Sequence, residues 1–323
     1  MFKNMNVVCS ESELRAIVPE PSPKVRLKIL DRLEKHSVHM IELSSLSALA
    51  SAAHVELFAK KGSVTTADEG RLLRIACERD DVLRSKWTPC TALGGLFMVA
   101  GIPETLRVNG SVVASEDDVV VQVEEVFLQC PKAFVRSKLW EPSSWTGGEC
   151  TVETSPFALV ATEGADGRGD ISPRGDPTGL FVRRLDERTL LIPDRTGNHL
   201  VDTLRNVLHR ERATVVFIRP GSNDVLRIDG RARITSDASV LAASAVKGKA
   251  PKLGIVLDVE REERVKGALE GLWDPSALVD PKDFPTMGEM ILDQVNPGGK
   301  VLNKIGAKIF DLGNSYHRAR RLY

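Results

Sequence analysis

The sequence carries no surplus of charge: 44 Lys and Arg face 44 Asp and Glu across 323 residues. A formally neutral chain generates no global field to recruit nucleic acid or an acidic membrane, so neither is expected as a partner. C-x-x-C is missing as well. The cysteines (Cys9, Cys77, Cys90, Cys130 and Cys150) are odd in number and widely spaced, which argues against a disulfide framework or a zinc knuckle. No run approaches the roughly 18 apolar residues of a spanning helix. The opening "MFKNMNVVCSESELR" lacks the apolar core of a secretory signal, so the expected compartment is the cytoplasm. There is no G-x-S-x-G, H-E-x-x-H or phosphate P-loop, which removes the commonest hydrolase, zinc-protease and NTPase signatures. His36 and His39 have no third ligand in view, so no metal site is expected.

What remains is a globular composition, 42% hydrophobic and 27% charged, long enough for two domains. The chain also repeats itself. "LFMVAGIPETLRVNG" (96–110) lies over "VFIRPGSNDVLRIDG" (216–230) without gaps, matching at Phe97/Phe217, Gly101/Gly221, Leu106/Leu226, Arg107/Arg227 and Gly110/Gly230. Each copy reads as an apolar strand, a Gly-containing turn and a long second strand, the pattern of a hairpin. In the second strand Leu226, Ile228, Gly230, Ala232 and Ile234 alternate with Arg227, Asp229, Arg231 and Arg233. Leu106, Val108, Gly110, Val112 and Ala114 form the same row in the earlier copy. Period-two alternation with one wet face predicts a half-buried antiparallel strand. The glycine in mid-strand is where a small barrel bends.

The echo continues: "VVVQVEEVFLQCPKAFVRSKLWEP" (119–142) is answered by "LGIVLDVEREERVKGALEGLWDP" (253–275). Both run from a β-rich stretch into an expected helix ending Leu-Trp-acid-Pro. The predicted architecture is mainly β (α+β): two tandem antiparallel split β-barrels with flanking helices, forming a pseudo-dimer within one chain. The expected boundaries are an N-terminal extension (1–19), a first barrel (20–147), a second (153–295) and a basic tail (296–323), with "PSSWTGGECTVETS" as the linker. A helix is expected from Ser22-Pro23, with Val25, Ile29, Leu30 and Leu33 on one face. Another is expected at 198–209, and strands at 156–162, 179–185 and 189–193.

At this point the residues resemble a known family. "SPFALVATEGADGRGDISPRGDPTGLFVRRLDERTLLIPDRTGNHLVDTLRN" (155–206) is similar to the pyridoxamine 5′-phosphate oxidase-like flavoproteins. More narrowly, it is similar to a bacterial branch of probable FMN-dependent enzymes whose domain ends in a helix like "QCPKAFVRSKLW" (129–140). The motifs are divided between the copies. The first keeps the Cys-Pro-Lys helix, whereas the second keeps SPRGD and PDRTGN; Arg136 and Ser137 align with Leu269 and Glu270. Members resembling this chain are homodimers with two FMN at the subunit interface. The resemblance therefore implies an FMN-dependent oxidoreductase of a small molecule with one composite site between fused barrels and one decayed site. Further homodimerisation is open.

The resemblance places the FMN phosphate on Arg174 and Arg195, whose planar donors suit a phosphate. Gly197 and Asn198 are expected to open the helix whose free amides attract the anion. His199 stands where most members have Arg. Ser172 and Asp176 shape the turn beside the flavin ring, although turn chemistry explains them too. Lys132 and Arg136 share a helix face, next to Ser137, and contact either the cofactor or an acidic substrate; a solvated face is the competing reading. Gln129 replaces the family's usual His, so catalytic residues stay unassigned. Cys130 reads as a small buried hydrophobe, and Trp140 and Trp273 as core anchors. A non-catalytic flavin- or haem-binding protein and a deazaflavin-dependent reductase remain open beside the FMN enzyme.

Overall fold

The computed structural model describes residues 5–21, 29–51, 54–77, 81–195, 197, 199–295, 303 and 306–308. A two-residue strand, β1 (Val7–Val8), opens the chain and pairs with the second of two sheets. The first sheet contains β2 (Leu46–Ser51), β3 (His54–Phe58), β4 (Val64–Ala67), β5 (Leu72–Ile75), β6 (Ala92–Met98), β7 (Thr105–Ser115) and β8 (Val119–Gln129). The second contains β9 (Phe157–Glu163), β10 (Gly169–Gly175), β11 (Arg183–Asp186), β12 (Thr189–Asp194), β13 (Arg212–Ile218), β14 (Val225–Thr235) and β15 (Leu253–Val265). Their strand orders are β3-β2-β6-β7-β8-β5-β4 and β10-β9-β13-β14-β15-β12-β11. Strand for strand the two are the same antiparallel split barrel, so the chain is a pseudo-dimer with itself.

The repeated hairpin occupies equivalent places. β6 and β13 each have 7 residues, and β7 and β14 each have 11. The register shifts between Asn109 and Gly110 and again between Asp229 and Gly230. A Cβ on Gly110 would lie 2.1 Å from the Gln122 carbonyl oxygen, and one on Gly230 would lie 2.2 Å from that of Asp258. Only glycine admits so close a backbone approach at a bulge.

Each barrel has its own apolar core, and a third cluster joins them. In β9, Ala158 and Val160 point into the second barrel, while Phe157, Leu159 and Ala161 point at the first. In β2, Leu49 faces inward and Leu46, Ala48 and Ala50 face the partner barrel. These strands are buried on both sides, hence their continuous apolar runs. Trp140 and its counterpart Trp273 meet at 6.1 Å between ring centroids. The two ends of the chain cross over. Helix α1 (Glu11–Ile17) inserts Leu14 into the second core, whereas Phe284 and Met290 pack into the first.

Helix α2 (Lys35–Glu42) precedes the first barrel, α3 (Asp81–Lys86) follows β5, and α4 (Lys132–Ser137) carries the Lys-Ala-Phe-Val-Arg-Ser stretch. Then come α5 (Asp202–Arg210), α6 (Ala238–Ala242) and α7 (Met287–Val295). Residues 22–28, where the helix expected from Ser22 would begin, lie outside the described residues, and Leu30 of its expected apolar face forms an isolated bridge with Val126. Three expectations need correction. The strand expected at 179–185 begins only at Arg183, since Gly179 takes a left-handed φ of 77°. The second copy of the Leu-Trp helix is a series of turns over 266–271, where Gly267 and Gly271 have φ of 68° and 79°. The helix expected at 198–209 starts at Asp202. Most of the tail, 296–323, lies outside the described residues. No helix among those described is long and apolar enough to cross a membrane.

Candidate functional site

A cavity of about 590 Å³ opens where α4 of the first barrel meets β10 of the second. That size suits a mononucleotide-scale ligand. The first barrel contributes Arg107, Gln129, Cys130, Lys132, Ala133 and Arg136. The second contributes Ser172, Arg174, Asp194, Arg195, Gly197 and His199, together with Thr203 from the first turn of α5. Lys249 and Lys252, on the loop before β15, also line it. Seven Lys or Arg side chains against Asp194 and Asp202 make the lining strongly cationic, which favours an anionic ligand.

The cations are held from behind. Asp176 is fully buried; its Oδ2 accepts from Arg195 Nε at 2.7 Å, and its Oδ1 lies 3.4 Å from Arg136 Nε. One carboxylate of the second barrel thus pairs with an arginine from each barrel. Both arginines have a further anchor: Arg136 Nε donates to the Gly175 carbonyl at 2.9 Å, and Arg195 to that of Ser244 at 2.8 Å. Burial pushes the Asp176 carboxyl above its ordinary pKa, against the pull of Arg195 and Arg136. Arg174 lies 3.4 Å from Asp194, and its buried Nε has no hydrogen-bond partner.

The expected site residues therefore divide. Arg174, Arg195, Gly197, His199, Ser172, Lys132 and Arg136 meet at one cavity. Asp176 stands behind the wall, and so does Ser137, whose hydroxyl donates to the Phe134 carbonyl at 3.2 Å. Asn198 lies outside the described residues. The expected opening of a helix at 197–198 is corrected: His199 takes a left-handed φ of 64°, which interrupts the chain before α5. Its first turn holds an acidic residue, Asp202, and its N-cap, Val201, provides no side-chain bond.

Arg107 was hidden in the sequence, where it reads as a residue of the wet strand face. In the structure the second barrel covers that face, and Arg107 is 4% exposed. It forms an ion pair with Asp170 of β10, lies 3.8 Å from Asp202 and stacks 5.2 Å from the Phe127 ring centroid. The N-terminal segment was missed as well: Ile17, Val18 and Pro19 wall the cavity, and Arg15 donates to the His199 carbonyl at 3.3 Å.

The sheet registers show what became of the pseudo-symmetric position. Ala50 pairs with Gly94 and Val55, as Ala161 pairs with Thr214 and Ile171. Following β3 from there, His54 stands in place of Asp170, Glu56 in place of Ser172 and Phe58 in place of Arg174. Cys77 replaces Asp194, and the buried Leu269 replaces Arg136. Arg227, the counterpart of Arg107, turns to Asp229 on its own strand at 3.3 Å. Trp87, fully buried, donates to Ser51 at 3.0 Å beside His54. Among the described residues, this second position lacks counterparts of Arg174 and Arg136.

Residues 149–266 match the family model described as pyridoxamine 5′-phosphate oxidase. The match falls on the second barrel. No curated protein matches the sequence significantly. Solved structures similar to one barrel include HupZ of Group A Streptococcus, at 21% identity and a TM-score of 0.30, covering 36% of this chain and 95% of that one. A putative pyridoxamine 5′-phosphate oxidase of Lactobacillus delbrueckii has 21% identity and a TM-score of 0.27, covering 33% and 83%. An FMN-binding protein of Syntrophomonas wolfei has 11% identity and a TM-score of 0.26, covering 35% and 79%. Likenesses at this level carry no argument about activity.

Proposed function

We propose that the cavity between the barrels binds one FMN and that the protein is an FMN-dependent oxidoreductase of a small molecule. The observation that carries this reading is the convergence of Arg174 and Arg195 with Lys132 and Arg136 of the other barrel on one cavity, while the pseudo-symmetric position holds Phe58 and Leu269. A phosphate dianion needs such a fork of donors, and the buried Arg174 Nε, without a partner of its own, fits the role. FMN, when bound, supplies reversible electron and hydride chemistry.

The chain's own residues do the rest. Arg174 and Arg195 hold the phosphate, and Asp176 keeps Arg195 and Arg136 in place. The apolar wall of Ile17, Val18, Pro19 and Leu200 keeps water from the far side of the cavity. No side chain here is assigned as a general acid or base. The test is direct: purified protein should be yellow and release FMN, identified by mass, on denaturation. A reductant should bleach the colour, and an electron acceptor should restore it. Colourless protein that does not take up added FMN would refute the reading; a different flavin mass would reassign the cofactor.

A further inference from the structure

The floor of the cavity contains a chain of hydroxyls whose direction is fixed. Asp170, 2% exposed, lies on β10 with one carboxylate oxygen against Arg107. Its other oxygen, Oδ2, is 2.8 Å from Thr203 Oγ1 and 3.4 Å from Thr162 Oγ1. Thr162 Oγ1 in turn accepts from Asn206 Nδ2 at 3.1 Å. Ser172 Oγ lies 2.8 Å from Thr203 Oγ1. Thr203 Oγ1 is the donor to Asp170 Oδ2, and Arg107 against the other oxygen favours the carboxylate form, which only accepts. Thr203 has a single hydroxyl proton and must give it to Asp170. The proton between Thr203 and Ser172 is therefore that of Ser172. With its proton committed inward, Ser172 has only lone pairs left for the cavity it lines.

We propose that Ser172, locked by Thr203 and Asp170, faces the cavity as a hydrogen-bond acceptor and so selects a ligand that offers an N–H at that point. The inference rests on the flavin reading. Ser172 and Arg174 lie on the same face of β10, two residues or about 7 Å apart along the strand, so Ser172 meets the part of the ligand beyond its phosphate. An oxidised flavin ring has one N–H, at N3, and reduction adds another at N5. Both are N–H donors, and the experiment separates them. A donor hydroxyl at the same point would select the reverse. The pseudo-symmetric position has no such chain, since His54 and Glu56 replace Asp170 and Ser172.

The test compares wild type, Ser172→Ala, Thr203→Val and Thr203→Ser for affinity toward oxidised FMN and 3-methyl-FMN, and for the bound flavin's midpoint potential. If Ser172 accepts from N3–H, wild type prefers FMN roughly tenfold over 3-methyl-FMN, as expected for one hydrogen bond of about 1.4 kcal/mol. Ser172→Ala and Thr203→Val then lose that preference. If it accepts from N5–H, the two oxidised ligands bind alike, and the potential falls in both variants by about 30 mV, a tenfold loss of preference for the two-electron reduced form. Thr203→Ser keeps the hydroxyl and behaves as wild type in either case. Thr203→Val leaves the volume around Ser172 unchanged, so it excludes simple relief of crowding and carries the test if Ser172→Ala fails to fold. Unchanged preference and unchanged potential in both variants would overturn the proposal. If Arg174→Ala also left FMN binding untouched, the flavin reading itself would be the failure.

Discussion

Replacing Arg174 by Ala isolates the phosphate from the remainder of the ligand. Its guanidinium lies 3.4 Å from Asp194, with the two side chains 23% and 19% exposed. The pair is mostly buried, so losing Arg174 also costs folding stability, and comparing two ligands on the same variant separates that cost from binding. Binding is another matter. A hydrogen bond to a charged group is worth about 1.5–3 kcal/mol, and each 1.4 kcal/mol is tenfold. Loss of Arg174 should therefore raise the FMN dissociation constant roughly 10- to 100-fold. Riboflavin lacks only the phosphate, so its binding should not change. The assay is quenching of flavin fluorescence on titration with apoprotein, with both ligands and at two salt concentrations. The preference of wild type for FMN over riboflavin should fall with salt, and that of the variant should fall less steeply, since Arg195 remains. An equal loss for the two ligands, or no loss for either, would refute the assignment of Arg174 to the phosphate.

Flavin content per chain by absorbance should saturate at one, because Phe58, Cys77 and Leu269 hold the counterpart positions; two equivalents would refute the asymmetry. Gly230→Ala should destabilise the protein by about 1–3 kcal/mol in urea unfolding, since the new Cβ would meet the Asp258 carbonyl oxygen at 2.2 Å; wild-type stability would remove the bulge argument. Arg107→Ala should cost about 3 kcal/mol at neutral pH, because it leaves Asp170 buried without its partner. Burial already holds the Asp170 carboxyl above its ordinary pKa, with Arg107 opposing, and the variant raises it further. A raised folded-state pKa gives stability that is full below the ordinary carboxylate range and is lost as pH rises through the folded value. The deficit of the variant should thus be small in acid and grow toward neutrality; a deficit independent of pH would argue against the ion pair.

The hairpin, its bulge glycines and the inward rows of β7 and β14 were legible because local alternation and turn chemistry are written in neighbouring residues. Arg174, Arg195, Lys132 and Arg136 were legible through motifs, and their segments do converge. What failed was set by distant chain. Arg107 belongs to a strand face that the second barrel covers, so a single-strand pattern marks it as wet. Gly267 and Gly271 dissolve a helix that the Leu-Trp echo implied, a backbone preference that overrode the analogy. His199 adopts a left-handed φ and delays α5, which residue type alone does not announce. Ile17–Pro19 reach the cavity from a segment tied down by the β1–β14 pairing and by Leu14, contacts made more than 180 residues away in the chain.

Carrying both walls on one polypeptide frees the cavity from mass action. A pocket shared by separate subunits empties when they part on dilution. Here the linker from Pro142 to Ser155 keeps the partners together at any protein concentration, much as tethered binding modules do. The two walls should stay assembled in nanomolar solution, and each half is free to accept substitutions that would be ruinous if copied twice.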